Sequence, residues 1–169
     1  MKIPVFLLAI VFGVLSIGCH PVKRSDTSTK RNRKASSGQS SRTATYPGLK
    51  ASFDYEMLDD YTFKLSSAST DSTYGYTQQN PIHVGGGFLQ GAANEHRYMR
   101  ALKGPNGETI TYVRKGSCCA FNTPNGMMGG GLLDRYEVTW ENNSTPYFLY
   151  INMYDAAELK APMGLTFKE

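Results

Sequence analysis

The chain has 169 residues, with 18 Lys and Arg against 14 Asp and Glu, three His and three Cys. That length leaves room for one modest domain and falls well short of the roughly 250 residues of a (β/α)8 barrel. A net charge of +4 would ordinarily suggest a nucleic acid or an acidic surface as partner, but the charge is not spread evenly along the chain.

Met1-Lys2 is a short basic start, and Val5 to Leu15 is an apolar run of eleven residues relieved only by Gly13. Such a run is too short for the roughly 20 residues of a membrane-spanning helix and reads as a signal peptide. It ends in Leu15-Ser16-Ile17-Gly18-Cys19, which resembles a bacterial lipobox, with Leu one step further from the cysteine than usual. Residues 1–18 are therefore read as a lipoprotein signal peptide. Cys19 is the expected lipidation site, its thiol carrying diacylglycerol and its new amino group a further acyl chain such as palmitate. More than one acyl chain gives stable membrane anchoring. An ordinary secreted protein and a short membrane anchor are the alternatives. His20, rather than Asp, follows the cysteine, and no acidic run comes after it. The expected location is the cell envelope, on the periplasmic face of the outer membrane.

Residues 19–50 form the lipidated cysteine and a tether. Positions 20–50 carry eight bases against the single acid Asp26, with many Ser and Thr and almost no large apolar side chain. Without apolar surface to bury, the segment cannot offset the entropy of ordering and is expected to be disordered. Its charge either attracts anionic headgroups and envelope polymers or belongs to a solvated spacer. Residues 51–169 hold nine bases and thirteen acids, a net −4. A nucleic-acid binder carries its positive charge on a folded face with stacking aromatics, so no nucleic-acid partner is expected.

Residues 51–169 read as one α+β globular domain: a small antiparallel β-sheet with one main helix packed on it and Gly-rich loops. Tyr61, Phe63 and Leu65 alternate with Thr62, Lys64 and Ser66, the period of a half-buried strand. A second strand is expected near Thr109 to Lys115. The clearest is Arg135 to Glu141, where Tyr136, Val138 and Trp140 share one face. Asn142 to Pro146 marks a turn and Tyr147 to Tyr154 an almost wholly apolar strand, so the pair reads as an antiparallel hairpin whose second strand is central. The main helix is expected to start at Asn94 as N-cap, with Glu95 in its first turn, Tyr98, Ala101 and Leu102 on one face, and Lys103-Gly104-Pro105 ending it. Asp155 to Lys160 is a candidate short second helix. The domain has ten of the eleven tyrosines, six phenylalanines and Trp140. These rings fill a core, or some form an exposed face that stacks on sugars or a partner.

Cys118-Cys119 is the most unusual local feature. In an oxidising envelope adjacent cysteines can close an eight-membered disulfide ring. A structural disulfide or buried thiol pair, a redox-active pair and metal ligation all compete. The spacing is wrong for a CxxC clamp, and no metal or other cofactor is expected. His83 and His96 are the domain's histidines, and neither sits in a recognisable catalytic order. Asn94, Glu95, Arg97, Asp134, Arg135 and Asp155 are candidates for a polar cluster near the ends of the sheet, with solvated or paired structural charges as the simpler reading.

Tyr74-Gly75-Tyr76-Thr77, Asn80-Pro81-Ile82, Val84-Gly85-Gly86, Gly104-Pro105-Asn106-Gly107-Glu108, Gly116-Ser117-Cys118-Cys119, Gly131-Leu132-Leu133-Asp134, Tyr136-Glu137-Val138-Thr139 and Tyr154-Asp155 together resemble a family of Bacteroidetes lipoproteins over residues 59 to 168. Its members are commonly labelled 2-dehydro-3-deoxyphosphooctonate aldolase, and the resemblance implies that label for this chain. The family pattern has Lys at the position of His83 and Arg at that of His96, whereas Cys118-Cys119 fits it. Size and export weigh against an aldolase barrel acting on cytosolic sugar phosphates. The expected function is therefore that of an envelope lipoprotein whose small non-enzymatic domain binds a protein or glycan partner. The alternative is an enzyme or thiol redox module using Cys118 and Cys119, or the labelled aldolase.

Overall fold

The computed structural model describes residues 50–87 and 89–169. The signal peptide, Cys19 and the tether up to residue 49 lie outside the described residues. The alternation of Tyr136, Val138 and Trp140 belongs to β6 (Gly130–Trp140) and the apolar run after it to β7 (Asn143–Asn152). The two form the expected antiparallel hairpin, with Asp134 opposite Ile151 and Val138 opposite Tyr147. Its turn is tighter than the 142–146 loop expected. Trp140 already pairs with Asn143, so only Glu141 and Asn142 cross over, and Asn142 takes a φ of 65°, a left-handed conformation that Asn tolerates. Pro146 lies inside β7, where three residues face the single Thr139. At such a bulge the missing N–H of proline breaks no ladder bond.

The strand expected near 109–115 is longer: β5 runs from Ile110 to Asn122 along the other side of β6. Two bulges interrupt its register, one between Arg114 and Gly116 and one between Cys118 and Ala120. On the far side, β3 (Ile82–His83) pairs with β7, giving the order β3-β7-β6-β5. β3 runs parallel to β7, so the sheet is mixed at that edge and antiparallel elsewhere. Of the strand expected at 61–66, only β2 (Thr62–Phe63) forms, in a hairpin with β1 (Met57–Asp59). Phe63 and Leu65 are buried and Lys64 and Ser66 exposed, as alternation requires. At its start the pattern inverts, with Thr62 buried and Tyr61 exposed.

The helix α1 spans Gly91–Ala101 with Gln90 as its N-cap, a start four residues earlier than expected. Asn94 is not its N-cap. It lies inside the helix and donates through Nδ2 to the Val84 carbonyl at 2.9 Å, which ties the helix to the residue after β3. Gly91 explains the early start. A Cβ there would come within 2.5 Å of the Met153 carbonyl oxygen, so only glycine lets the first turn sit against the end of β7. The buried face is Gly91, Asn94, Glu95, Tyr98, Met99 and Ala101, a stripe at helical spacing. Glu95, expected beside the positive helix start, lies instead on this inner face. The helix ends at β4 (Leu102–Lys103), which pairs with β8 (Thr166–Phe167), and the Lys168 amide donates to the Ala101 carbonyl, satisfying one of the carbonyls that a helix end leaves free.

No second helix forms over 155–160. The Gly85 amide donates to the Asp155 carbonyl at 2.8 Å and the Ala156 amide to the Lys50 carbonyl at 2.8 Å, pulling this backbone into bridges instead. Gly85 is not a simple turn residue either. A Cβ would come within 2.7 Å of the backbone of Tyr154 and Asp155. Between sheet and helix the core gathers Ile82, Tyr98, Met99, Tyr136, Leu149 and Ile151. The described residues thus form an α+β fold with one α-helix on a four-stranded sheet.

Candidate functional site

Two buried carboxyl groups meet beneath α1. Glu95, on the inner face of the helix, is 1% exposed, and so is Asp134, on the facing side of β6. Tyr136, two residues along the same strand face, donates through its hydroxyl to Glu95 Oε2 at 2.9 Å. Arg114 of β5 clasps Asp134 with Nε on Oδ2 at 2.6 Å and Nη2 on Oδ1 at 2.7 Å. Ser117 donates to Asp134 Oδ1 at 2.7 Å and accepts from Arg114 Nη2 at 2.7 Å. This is a bidentate ion pair closed by a hydroxyl.

The two carboxyls titrate in opposite directions. Burial raises the proton affinity of Glu95, the Asp134 charge beside it adds to that, and together they outweigh Tyr136 and Arg114, pushing Glu95 up to about 8. Burial also opposes ionisation of Asp134, but the bonds from Arg114 and Ser117 win and hold it below the usual carboxylate range. Glu95 Oε1 is buried without a hydrogen-bond partner. A negative charge there would be costly, whereas a proton lets Glu95 donate toward Asp134. At neutral pH the pair is one carboxylic acid beside one carboxylate.

Asp155 forms a separate hub. Its Oδ1 accepts from Thr123 Oγ1 and from Asn125 Nδ2, and its Oδ2 accepts from Asn152 Nδ2 at 2.8 Å. The amides of Tyr154 and Asp155 donate to Asn152 Oδ1, which fixes the orientation of that side-chain amide. Asn152 Nδ2 is then the donor to His83 Nδ1 at 3.1 Å, so the proton of the neutral ring sits on Nε2. Burial pulls the His83 proton affinity down. The hub joins the β5–β6 hairpin to the end of β7. Three side chains, Thr123, Asn125 and Asn152, converge as donors on the Asp155 carboxylate and fix its geometry.

The six residues expected as one polar cluster therefore separate. Glu95 and Asp134 come together. Asn94 accepts from Arg97 Nη1 at 2.8 Å on the helix. Arg135 points to the opposite sheet face, its guanidinium carbon 5.2 Å from the centre of the Phe148 ring. Asp155 belongs to its own hub. Sequence reading missed Arg114, Ser117, Tyr136, Thr123, Asn125 and Asn152 as partners. The spacing of Arg114 and Ser117 could not have paired them, because the bulge between them changes which face each occupies.

Cys118 and Cys119 are joined in a disulfide, with an S–S distance of 2.09 Å. They lie within β5, Cys118 opposite Leu133 and Cys119 at the bulge before Ala120, far along the sheet from Trp140, which pairs with Ile110. Both are half-buried. Among the described residues no group of three His, Cys, Asp or Glu side chains is placed to hold a metal ion.

At the turn end of the β6–β7 hairpin, aromatic rings line up along the sheet. Trp140 lies 5.1 Å from Tyr147 and Tyr147 lies 6.0 Å from Tyr76, centre to centre. Tyr147 is 41% exposed and Phe148, on the other face, 38%. Most of the remaining tyrosines are committed inward. Tyr98 donates to the Lys160 carbonyl, Tyr74 accepts from the Lys160 amide and Tyr55 donates to the His83 carbonyl. The majority of rings thus serve the core; in the row, Tyr76 and Trp140 are half-buried against that core and Tyr147 carries it to the surface. Neither a protein-family model, nor a curated protein, nor a solved structure matches this chain.

Proposed function

We propose that the chain is a lipid-anchored envelope protein, tethered through Cys19 on the periplasmic face of the outer membrane, whose folded domain is a binding module for a protein or glycan partner rather than an enzyme. The observation that carries this reading is the row Tyr76, Tyr147 and Trp140, with Tyr147 41% exposed at the sheet edge. Rings set side by side offer apolar area with little side-chain entropy left to lose, which suits sugar faces and protein hot spots alike. The buried carboxyls add to it from the other side. Glu95 and Asp134 are each 1% exposed, so neither presents a carboxyl to a substrate at the surface.

Trp140 is the single tryptophan, so its fluorescence reports directly on this edge. Titration of the full chain in detergent with solubilised envelope glycan should quench or shift that emission. In parallel, cross-linking in intact cells followed by affinity purification should recover a specific envelope partner. Tyr147→Ala should weaken either interaction about tenfold, the cost of one aromatic anchor. Recovery of the lipoprotein alone, together with unchanged emission in the glycan titration, would reject the reading.

A further inference from the structure

We propose that the Cys118–Cys119 disulfide is an exchangeable redox site for a dithiol reductant, and that its closure holds the second of the two backbone bulges that bracket Ser117 on Asp134. The register of β5 against β6 carries the argument. Arg114 is opposite Tyr136, Gly116 opposite Arg135, Ser117 opposite Asp134, Cys118 opposite Leu133 and Ala120 opposite Leu132. Lys115 and Cys119 are the extra residues at the two bulges. In an unbroken strand successive side chains alternate faces, so Arg114 and Ser117, three apart, would point to opposite sides. The first bulge puts Ser117 on the Arg114 face. The second restores the original alternation from Ala120 onward. The stretch 116–118 is thus a short insert of reversed facing, and Ser117 is the side chain it delivers, 2.7 Å from both Asp134 Oδ1 and Arg114 Nη2.

The second bulge depends on Cys119, which has a φ of 58°. A residue with a Cβ takes the left-handed region only at a cost in free energy, and here a covalent ring to the preceding residue ties it there. Both cysteines are half-buried, within reach of a small thiol. In the exchange, a thiolate of the reductant attacks one Sγ. The Sγ–Sγ bond breaks, and its electron pair leaves on the other Sγ, which takes up a proton. The second thiol of the reductant then attacks the mixed disulfide. The dithiol is oxidised to a disulfide and the pair ends as two thiols. With the ring open, Cys119 is free to return to an extended backbone, and a one-residue slip turns Ser117 away from Asp134.

The test uses the full chain in detergent without denaturant, treated with millimolar dithiothreitol, quenched with iodoacetamide and mapped by peptide mass. Both cysteines should become alkylated at a rate within about tenfold of that in urea, since exchange needs no global opening. Protection beyond about a hundredfold, or full alkylation before any reductant is added, would overturn the exchangeable site. For the coupling, the Asp134 carboxyl is followed by carbon NMR in both redox states. Its titration midpoint should rise on reduction in the wild type and stay put in Ser117→Ala, which keeps the disulfide but lacks the hydroxyl. An unchanged midpoint in the reduced wild type would refute the coupling. The reduction assay needs no partner and no membrane, so it stands or falls apart from the docking reading.

Discussion

Replacing Glu95 with Gln isolates the buried acid. Gln keeps the shape, accepts from Tyr136 as Glu95 does, and offers an N–H toward Asp134 in place of the carboxyl proton. It therefore mimics protonated Glu95 at every pH. In the folded chain Glu95 holds its proton up to about 8 against an ordinary value of 4.5. Between those values the folded state binds more protons than the unfolded state, so stability is full at low pH and is lost as pH rises through about 8. At about 1.36 kcal/mol for each tenfold change in proton affinity, the gap amounts to roughly 5 kcal/mol, of which about 4 kcal/mol falls between pH 5 and 9. Other groups enter mostly outside this window. Asp134, held low, matters at acid pH, and the raised tyrosines matter above pH 9. His83, held low, costs stability only below its ordinary value of 6.5 and does so equally in both proteins. Urea unfolding of wild type and Glu95→Gln at pH 5 and pH 9 should show similar stability at pH 5 and a variant about 4 kcal/mol more stable at pH 9. Parallel pH dependence in the two proteins would refute a protonated Glu95 beneath α1.

Two further substitutions probe the neighbouring groups. Asp134→Asn removes the charge that Arg114 and Ser117 converge on. It should cost about 2 kcal/mol in urea unfolding at pH 7, less than a fully buried pair because Arg114 is partly solvated, and it should move the Glu95 midpoint downward in a carbon NMR titration. Asp155→Ala leaves Thr123, Asn125 and Asn152 without their shared acceptor and should cost about 3 kcal/mol, with amide exchange rising first at the base of the β5–β6 hairpin.

The hairpin and the helix could be read from sequence because each repeats its own period over enough residues. Tyr136, Val138 and Trp140 alternate cleanly, and the Tyr98 and Ala101 face is helical. Where the period breaks, reading stops. Lys115 to Cys119 carries two bulges, and β5 therefore looked seven residues long instead of the thirteen it has. β3 is two residues, too short to show any pattern, yet it closes the sheet. Glu95 was misplaced because a charged residue near a helix start usually faces water. Its burial follows from spacing, since Tyr98 and Met99, three and four residues further on, share its face and are buried. Alternation alone could have split Asp134 from Arg135, since neighbours on a strand face opposite sides. The Asp155 hub was out of reach, because Thr123 and His83 lie 32 and 72 positions away in the chain.

The pairings that close the domain join its distant ends. Lys50 bridges Ala156, Ala68 bridges Ala161, β3 lies on the tail of β7, and β4 pairs with Thr166–Phe167. A chain made from its N-terminus therefore cannot close its four-stranded sheet before Asn152 is made, nor pair β4 before Phe167 is. Contacts this remote in sequence also form slowly. The first half of the domain, from Lys50 to β4, therefore waits for its partners while β5, β6 and β7 are made.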